Sequence, residues 1–391
     1  MVFPPALAKI MILTIGISMW IWMQAYVKVQ VVLYGRAILE PHRRSEPPEL
    51  KNIEFGQHEY RNVNGIAMHY VHKGCDASSQ NGPILLLLHG FLDFWFIWNR
   101  QIPILSKKFC VIVPDLRGYG LTTKPANSTD YLMVKLIEDV RQLLLTINPP
   151  PGRPLLLVGH DWGAMIGFCL ASLEEHLIDR MIVINGMHPK AFQKQLLRSP
   201  RQMRMSWYMI PFRHPEVPEQ YLMMRDFAFF DKVHKGFTKR EEYVHKYMFS
   251  QPGALTGAIN YYRAFNNDKE QLNKLQYRVL DIPTLILWGQ KDEFLTSRVG
   301  KYDREWLNKS AIVFYKRAGH WLMRECFDTV NQYILDFVKY GLLDPSLRQF
   351  NNSKTQNENT CAHSVTPGVV SPPNVFPLVP LDSGVPGFPE E

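Results

Sequence analysis

Residues 154–163 read PLLLVGHDWG, an apolar run that ends in Gly159-His160-Asp161-Trp162-Gly163. Leu155–Gly159 has the composition of a buried strand, and Ala164–Glu175 carries a helical pattern. Two glycines flanking one residue allow a sharp strand-to-helix turn that lifts the central side chain above a sheet. The first N–H groups of the helix are then aimed at developing negative charge. Here the central residue is Asp161. A carboxylate is a competent nucleophile at saturated carbon when the leaving group is activated, which points to ring opening or halide displacement rather than ester cleavage. An Asp that only caps a helix fits the same pattern, so the motif needs partners.

Those partners lie on either side. TLILWGQKDEFL (284–295) puts Asp292 just after an apolar strand, and AIVFYKRAGHW (311–321) puts His320 just after the next. Nucleophile, acid and base then follow in chain order, with His320 able to activate water and Asp292 to hold its tautomer. Ligands of such sheets bind at the strand ends where these residues sit. Upstream, LLLLHGFLDFWFIW (85–98) places His89-Gly90-Phe91 after a strand, so the backbone N–H of Phe91, alongside that of Trp162, is expected to form an oxyanion hole. DLRGYG (115–120) reads as a tight turn without chemistry of its own.

Working outward, strand candidates are Ile66–His72, Ile84–His89, Phe109–Pro114, Leu155–Gly159, Met181–Asn185, Thr284–Trp288 and Ile312–Tyr315. Several are apolar on both parities, as in strands of a parallel sheet covered on both faces. Helical stretches at Tyr131–Ile147, Ala164–Glu175 and Asp328–Tyr340 alternate with them, which predicts an α/β doubly wound, mostly parallel sheet flanked by helices. The expected core is 51–187 with 276–344. Between its halves, 188–275 has no clear buried strand and reads as a helical cap insertion.

The cap carries 15 Lys/Arg against 8 Asp/Glu, a balance of +7 within a chain whose net charge is +8. That excess belongs to a lid facing acidic headgroups or carboxylate-bearing substrates, or to an ordinary solvated helical surface. It is not spread over a nucleic-acid surface, and no protein partner is indicated. Five scattered cysteines with no C-x-x-C argue against a zinc module and a disulfide scaffold. Ile10–Val27 has no charged residue, about the length needed to span a membrane. With Trp20, Trp22 and Tyr26 where small residues should stand, 1–35 reads as an uncleaved single-pass anchor rather than a cleaved signal. Its basic C-terminal flank favours a cytosol-facing catalytic part at the endoplasmic reticulum. The sequons Asn127-Ser128-Thr129, Asn308-Lys309-Ser310 and Asn351-Asn352-Ser353 would instead suit a luminal one. Residues 345–391, rich in Asn, Ser, Thr and Pro, read as a disordered tail.

GHDWG, HGF, DLRGYG, WGQKD and AGHW, in this order and spacing, resemble the epoxide hydrolases of the α/β-hydrolase fold over roughly residues 51 to 344. The apolar N-terminus and QPGALTGAINYYR (251–263) look most like the membrane-anchored animal subgroup typified by epoxide hydrolase 4. The resemblance implies that Asp161 opens an oxirane to form an alkyl ester, which water activated by His320 and Asp292 hydrolyses to a vicinal diol. It also implies two cap tyrosines that donate to the oxirane oxygen: SWYMIPFRHPEVPE points to Tyr208, and NYYR to Tyr262 rather than Tyr261. The implied substrate is a lipophilic epoxide, of lipid or fatty-acid origin, in lipid metabolism or detoxification. No metal or organic cofactor is implied. One departure is Leu92, which stands where the family's HGFP turn has proline and leaves the oxyanion loop less restrained. A haloalkane dehalogenase shares the Asp-Trp pair but needs halide donors instead of paired tyrosines. A non-catalytic, membrane-tethered lipid-binding protein has no need of Asp161, Asp292 and His320 together.

Overall fold

Runs that are apolar on both parities become the inner strands of one sheet. In the computed structural model, residues 5–75, 83–147, 153–267, 275, 277–341 and 363–366 are described. The strands are β1 (Gln57–Val63), β2 (Ile66–Lys73), β3 (Ile84–Leu88), β4 (Cys110–Pro114), β5 (Leu155–His160), β6 (Arg180–Ile184), β7 (Thr284–Gly289), β8 (Ser310–Tyr315) and β9 (His363–Thr366). Their order is β1-β2-β4-β3-β5-β6-β7-β8-β9. From β4 to β8 all pairs are parallel, and β1, β2 and β9 run antiparallel at the edges. Every residue of β3, β4, β5 and β7 is buried, as strands covered on both faces require. This is the α/β-hydrolase arrangement, with β3 crossing to β5 beside β4 and the reactive loops gathered at the C-terminal strand ends.

Two strands escape a reading by apolar pattern. β1 (QHEYRNV) is half exposed at the sheet edge, so its side chains are mostly polar. β9 lies within the stretch expected to be a disordered tail, yet it pairs Thr366 with Ile312 and His363 with Tyr315. That expectation is corrected for these four residues; the rest of the tail after Gly341 lies outside the described residues.

The helices that matter for the site are α1 (Pro5–Tyr34), α2 (Met133–Ile147), α3 (Trp162–Leu173), α4 (Pro189–Arg198), α5 (Val217–Val233), α6 (Lys239–Phe249), α7 (Ala254–Asn267), α8 (Ser297–Asp303) and α9 (Phe327–Tyr340). Helices α4 to α7 form the cap over the C-terminal ends of the strands. α6 opens on a capping box, in which Thr238 accepts from the Glu241 N–H and the Glu241 carboxylate accepts from the Thr238 N–H. α5 is broken: Arg225, Asp226 and Phe227 have φ of 53, 58 and 60°. A left-handed turn of L-residues costs about 1–2 kcal/mol per residue. It is held by Arg44, whose guanidinium pairs with Asp226, and by Tyr34, over whose ring the Arg225 guanidinium sits at 4.5 Å.

α1 covers the run expected to be a membrane anchor, and it packs along the cap. Among the described residues no helix is long and apolar enough to cross a membrane. One side of α1 is spent on the cap: Met23 and Val27 are buried, Trp20 lies 4.5 Å from the His214 ring, and Trp22 and Tyr26 lie 6.1 Å from Trp207 and Tyr221. The other side leaves Ile17, Ile21, Val29 and Val32 exposed. The side chains of residues 5–13 lie outside the described set.

A further feature has no sequence pattern behind it. Cys75, just after β2, and Cys110, which opens β4, are joined in a disulfide with a Cα–Cα distance of 4.4 Å. Cys326 is disulfide-bonded as well, and Cys169 is buried. Scattered spacing, which argues against a disulfide scaffold, gives no sign of the Cys75–Cys110 bond.

Candidate active site

The turn after β5 delivers Asp161 with φ 50° and ψ −116°, a left-handed conformation that non-glycine residues adopt at a cost of about 1–3 kcal/mol. The flanking residues make this turn possible. A Cβ on Gly163 would strike the Leu88 carbonyl, and one on Gly90 would lie 2.6 Å from the Asp161 Cβ. Asp161 is therefore pressed against the loop after β3, where the Phe91 N–H donates to its Oδ1 at 2.9 Å. Trp162 occupies the first position of α3, where a backbone N–H has no partner within its own helix. Among the described residues, Phe91 is the expected oxyanion donor seen bonded to the carboxylate.

Leu92 takes φ 59° and is buried. Proline, fixed near φ −65°, cannot hold that conformation. The oxyanion loop thus reaches its position by a left-handed leucine instead of a restrained proline, and the Phe91 N–H remains on Asp161.

His320 follows β8 with its Nε2 3.7 Å from Asp161 Oδ2 and its Nδ1 2.8 Å from Asp292 Oδ2. Burial works against a charge on His320, but the Asp292 carboxylate, backed by Asp161 and Asp93, pushes it up to about 9. Burial likewise opposes the charge of Asp292, yet His320 and the N–H groups of Leu295 and Phe294, at 2.9 and 2.7 Å, hold it below the usual carboxylate range. His320 thus stands between the carboxyl groups of Asp161 and Asp292, with Asp292 favouring its charged form.

Tyr208 and Tyr262 come from opposite ends of the cap and meet over Asp161, with ring centroids 5.5 Å apart. Burial raises both phenols above their ordinary range and the Asp161 charge adds to it, so both remain protonated donors. Tyr261, the alternative in NYYR, points away and donates to the Arg117 carbonyl at 2.9 Å. Asp161, His320, Tyr208 and Tyr262 share a cavity of about 320 Å3 whose other walls are mostly apolar, including Phe91, Leu92, Trp207, Phe212, Leu222, Phe229, Phe294 and Trp321. Its charged lining beyond Asp161 and His320 is Arg204 and Glu293, and Glu293 is paired with Lys235. Among the described residues no group of three His, Cys, Asp or Glu is placed to hold a metal ion.

Several supporting residues belong to none of the sequence motifs. Asn185, at the end of β6 with φ 37°, donates from Nδ2 to Asp292 Oδ2 at 2.7 Å and accepts the Gly289 N–H at 2.8 Å. Behind His320, the backbone carbonyl of that residue lies 3.1 Å from His160 Nε2. Asp93 accepts from Trp321 Nε1 at 3.0 Å; burial would raise it, but His160 and His245 hold it well below the carboxylate range. Glu325 accepts the Gly319 N–H and so ties down the residue before His320. A strand-end Asn-Gly such as Asn185-Gly186 is the one signal here that a sequence reading could have used.

The α/β-hydrolase-fold family model matches residues 83–325. The chain is 32% identical to epoxide hydrolase 4 of Homo sapiens over 313 residues, which cover 76% of this chain and 83% of that one. It is 31% identical to epoxide hydrolase 2 of Caenorhabditis elegans, over 78% of this chain and 85% of that one. Among solved structures, the epoxide hydrolase of Bacillus megaterium in complex with an inhibitor superposes with a TM-score of 0.64 at 29% identity, covering 72% of this chain and 100% of that one. By fold, motif order and relatives, the chain belongs to the epoxide hydrolases of the α/β-hydrolase fold.

Proposed function

We propose that the protein hydrolyses a lipophilic epoxide of lipid or fatty-acid type to a vicinal diol through an alkyl ester on Asp161. One observation carries the reading: in a single cavity, Asp161 keeps Oδ1 on the Phe91 N–H while Oδ2 faces His320 at 3.7 Å beneath two phenols. Oδ2 attacks an oxirane carbon, the C–O bond breaks, and the oxygen takes a proton from Tyr208 or Tyr262. Esterification removes the Asp161 charge, which is one of the groups that keep His320 protonated. The proton His320 then gives up balances the one the phenol has lost. Neutral His320 takes a proton from water as the water attacks the Asp161 Cγ, and the Phe91 N–H receives the oxyanion on Oδ1. Collapse expels the diol oxygen, which is protonated by His320, and leaves an Asp161 oxygen derived from water.

The apolar walls favour a long hydrocarbon substrate, with Arg204 at the lining as a partner for a terminal carboxylate. The location at the endoplasmic reticulum rests on the apolar run and its basic flank alone. Single turnover in heavy-oxygen water tests the mechanism. One labelled oxygen in the Asp161 peptide is expected; an unlabelled peptide with a labelled diol would mean that water attacks the epoxide directly.

A further inference from the structure

We infer that the catalytic core matures in an oxidising compartment, where Cys75 and Cys110 are joined and Asn127 and Asn308 receive N-linked glycans. Among the described cysteines, Cys75, Cys110 and Cys326 are in disulfides, and Cys110 is buried. The Cys75–Cys110 bond staples the exit of β2 to the start of β4, where the antiparallel edge meets the parallel body of the sheet. Both cysteines lie remote from Asp161, on the side of the sheet where β4 begins, so the bond has no part in the reaction. Disulfides of this structural kind persist in secreted and luminal proteins and are kept reduced by cytosolic thiols. The core therefore faces away from the cytosol, opposite to the orientation that the basic flank of the N-terminal run favours.

Two sequons answer to that placement. Asn127, just before the turn at Ser128–Tyr131, and Thr129, within it, are both exposed. Asn308 is exposed on the loop entering β8, at the end of the sheet away from the cap, and its Nδ2 donates to Asp281 at 2.8 Å. Neither residue lines the cavity, so a glycan at either leaves the substrate path open. The third sequon, at Asn351, lies outside the described residues. In each transfer the Asn Nδ2 bonds to the anomeric carbon of an oligosaccharide carried on a lipid diphosphate. The amide loses one proton and the lipid diphosphate leaves. The N–H that remains on Asn308 still serves Asp281. For the disulfide, two thiols give two protons and two electrons to a dithiol–disulfide oxidant of the compartment.

The test uses the full chain made in cultured animal cells. Free thiols are blocked with N-ethylmaleimide before reduction, and N-glycans are removed by an amidase that turns each modified Asn into Asp. The expected result is Cys75 and Cys110 free of maleimide, Asn127 and Asn308 converted to Asp, and one conversion lost in each of Thr129→Ala and Ser310→Ala. These variants keep the Asn side chains, and retained diol formation shows that they have folded. Maleimide on Cys75 and Cys110 in active protein overturns the inference. So does the absence of conversion at both asparagines, or conversion of Asn127 that persists in Thr129→Ala.

Discussion

Replacing Asp292 by Asn removes one charge from the site at almost constant volume. The side chain is held on four sides, by His320, Asn185, Phe294 and Leu295. In the variant, the oxygen can keep the two backbone donors, which turns the new NH2 group toward His320 Nδ1. That nitrogen must then accept, so the neutral ring carries its proton on Nε2, the atom that should receive one from water. The charge term is large: two unit charges with centres about 4 Å apart at an effective dielectric of about 20 interact by about 4 kcal/mol, or about three pK units. His320, which Asp292 helps push up to about 9, is expected to fall by that amount, to about 6. Asp161, Tyr208 and Tyr262 are untouched, so the ester should form and its hydrolysis should slow by about 10³- to 10⁴-fold, as loss of tautomer control does in related triads. Rapid mixing with an epoxide, acid quench and intact-mass measurement would then find an adduct of substrate mass that accumulates in Asp292→Asn and is fleeting in the parent protein. Diol formation at the parent rate with no adduct would refute the reasoning, because His320 would be working without its carboxylate.

Tyr208→Phe and Tyr262→Phe should each slow adduct formation by about 10²-fold, the cost of one donor to a developing oxyanion, and the double variant should show no adduct burst. Leu92→Pro forces a residue fixed near φ −65° into a position at φ 59°, so thermal unfolding should reveal a loss of about 3 kcal/mol together with slower ester hydrolysis as the Phe91 N–H leaves Asp161. Arg204→Gln should raise KM for an epoxide bearing a free carboxylate and leave KM for its methyl ester unchanged, measured as diol release on both substrates. Deleting residues 1–35 uncovers the cap where Met23 and Val27 are buried, at about 1.5–3 kcal/mol per apolar side chain; the melting temperature should fall and KM rise, whereas a detachable anchor would leave both unchanged.

The residues proposed to do the chemistry are legible because each lies just past a strand end close to glycine: Asp161 in G-x-D-x-G, Asp292 after WGQK, His320 after AG. The inner strands are legible for a similar reason, since burial on both faces leaves an unbroken apolar run. Tyr262 rather than Tyr261 is chosen by resemblance, and adjacent helical positions explain the two fates: one phenol faces Asp161 and its neighbour reaches the Arg117 carbonyl. What stays hidden is made by distant partners. Asn185 meets Asp292 across 107 residues and Trp321 meets Asp93 across 228, contacts that leave no local period to read. Cys75 and Cys110 are 35 residues apart with no spacing motif. The left-handed turn at Arg225–Phe227 contains no glycine and is sustained by Arg44 and Tyr34, far upstream. An apolar run of membrane length is ambiguous for its own reason: the same residues that would suit lipid also suit a cap lined with Trp207, His214 and Tyr221.

That packing gives α1 a mechanical meaning. It grips the cap along its length, from Gly16 against Ile210 to Tyr34 over Arg225, and two of the residues it touches, Trp207 and Tyr221, are also walls of the cavity. Trp207 is the immediate neighbour of Tyr208, one of the two phenols. Any change in how α1 sits on the cap would thus reach the residue beside one of the groups that would grip the oxirane oxygen. The helix is in this sense a structural part of the lid and not an appendage to it.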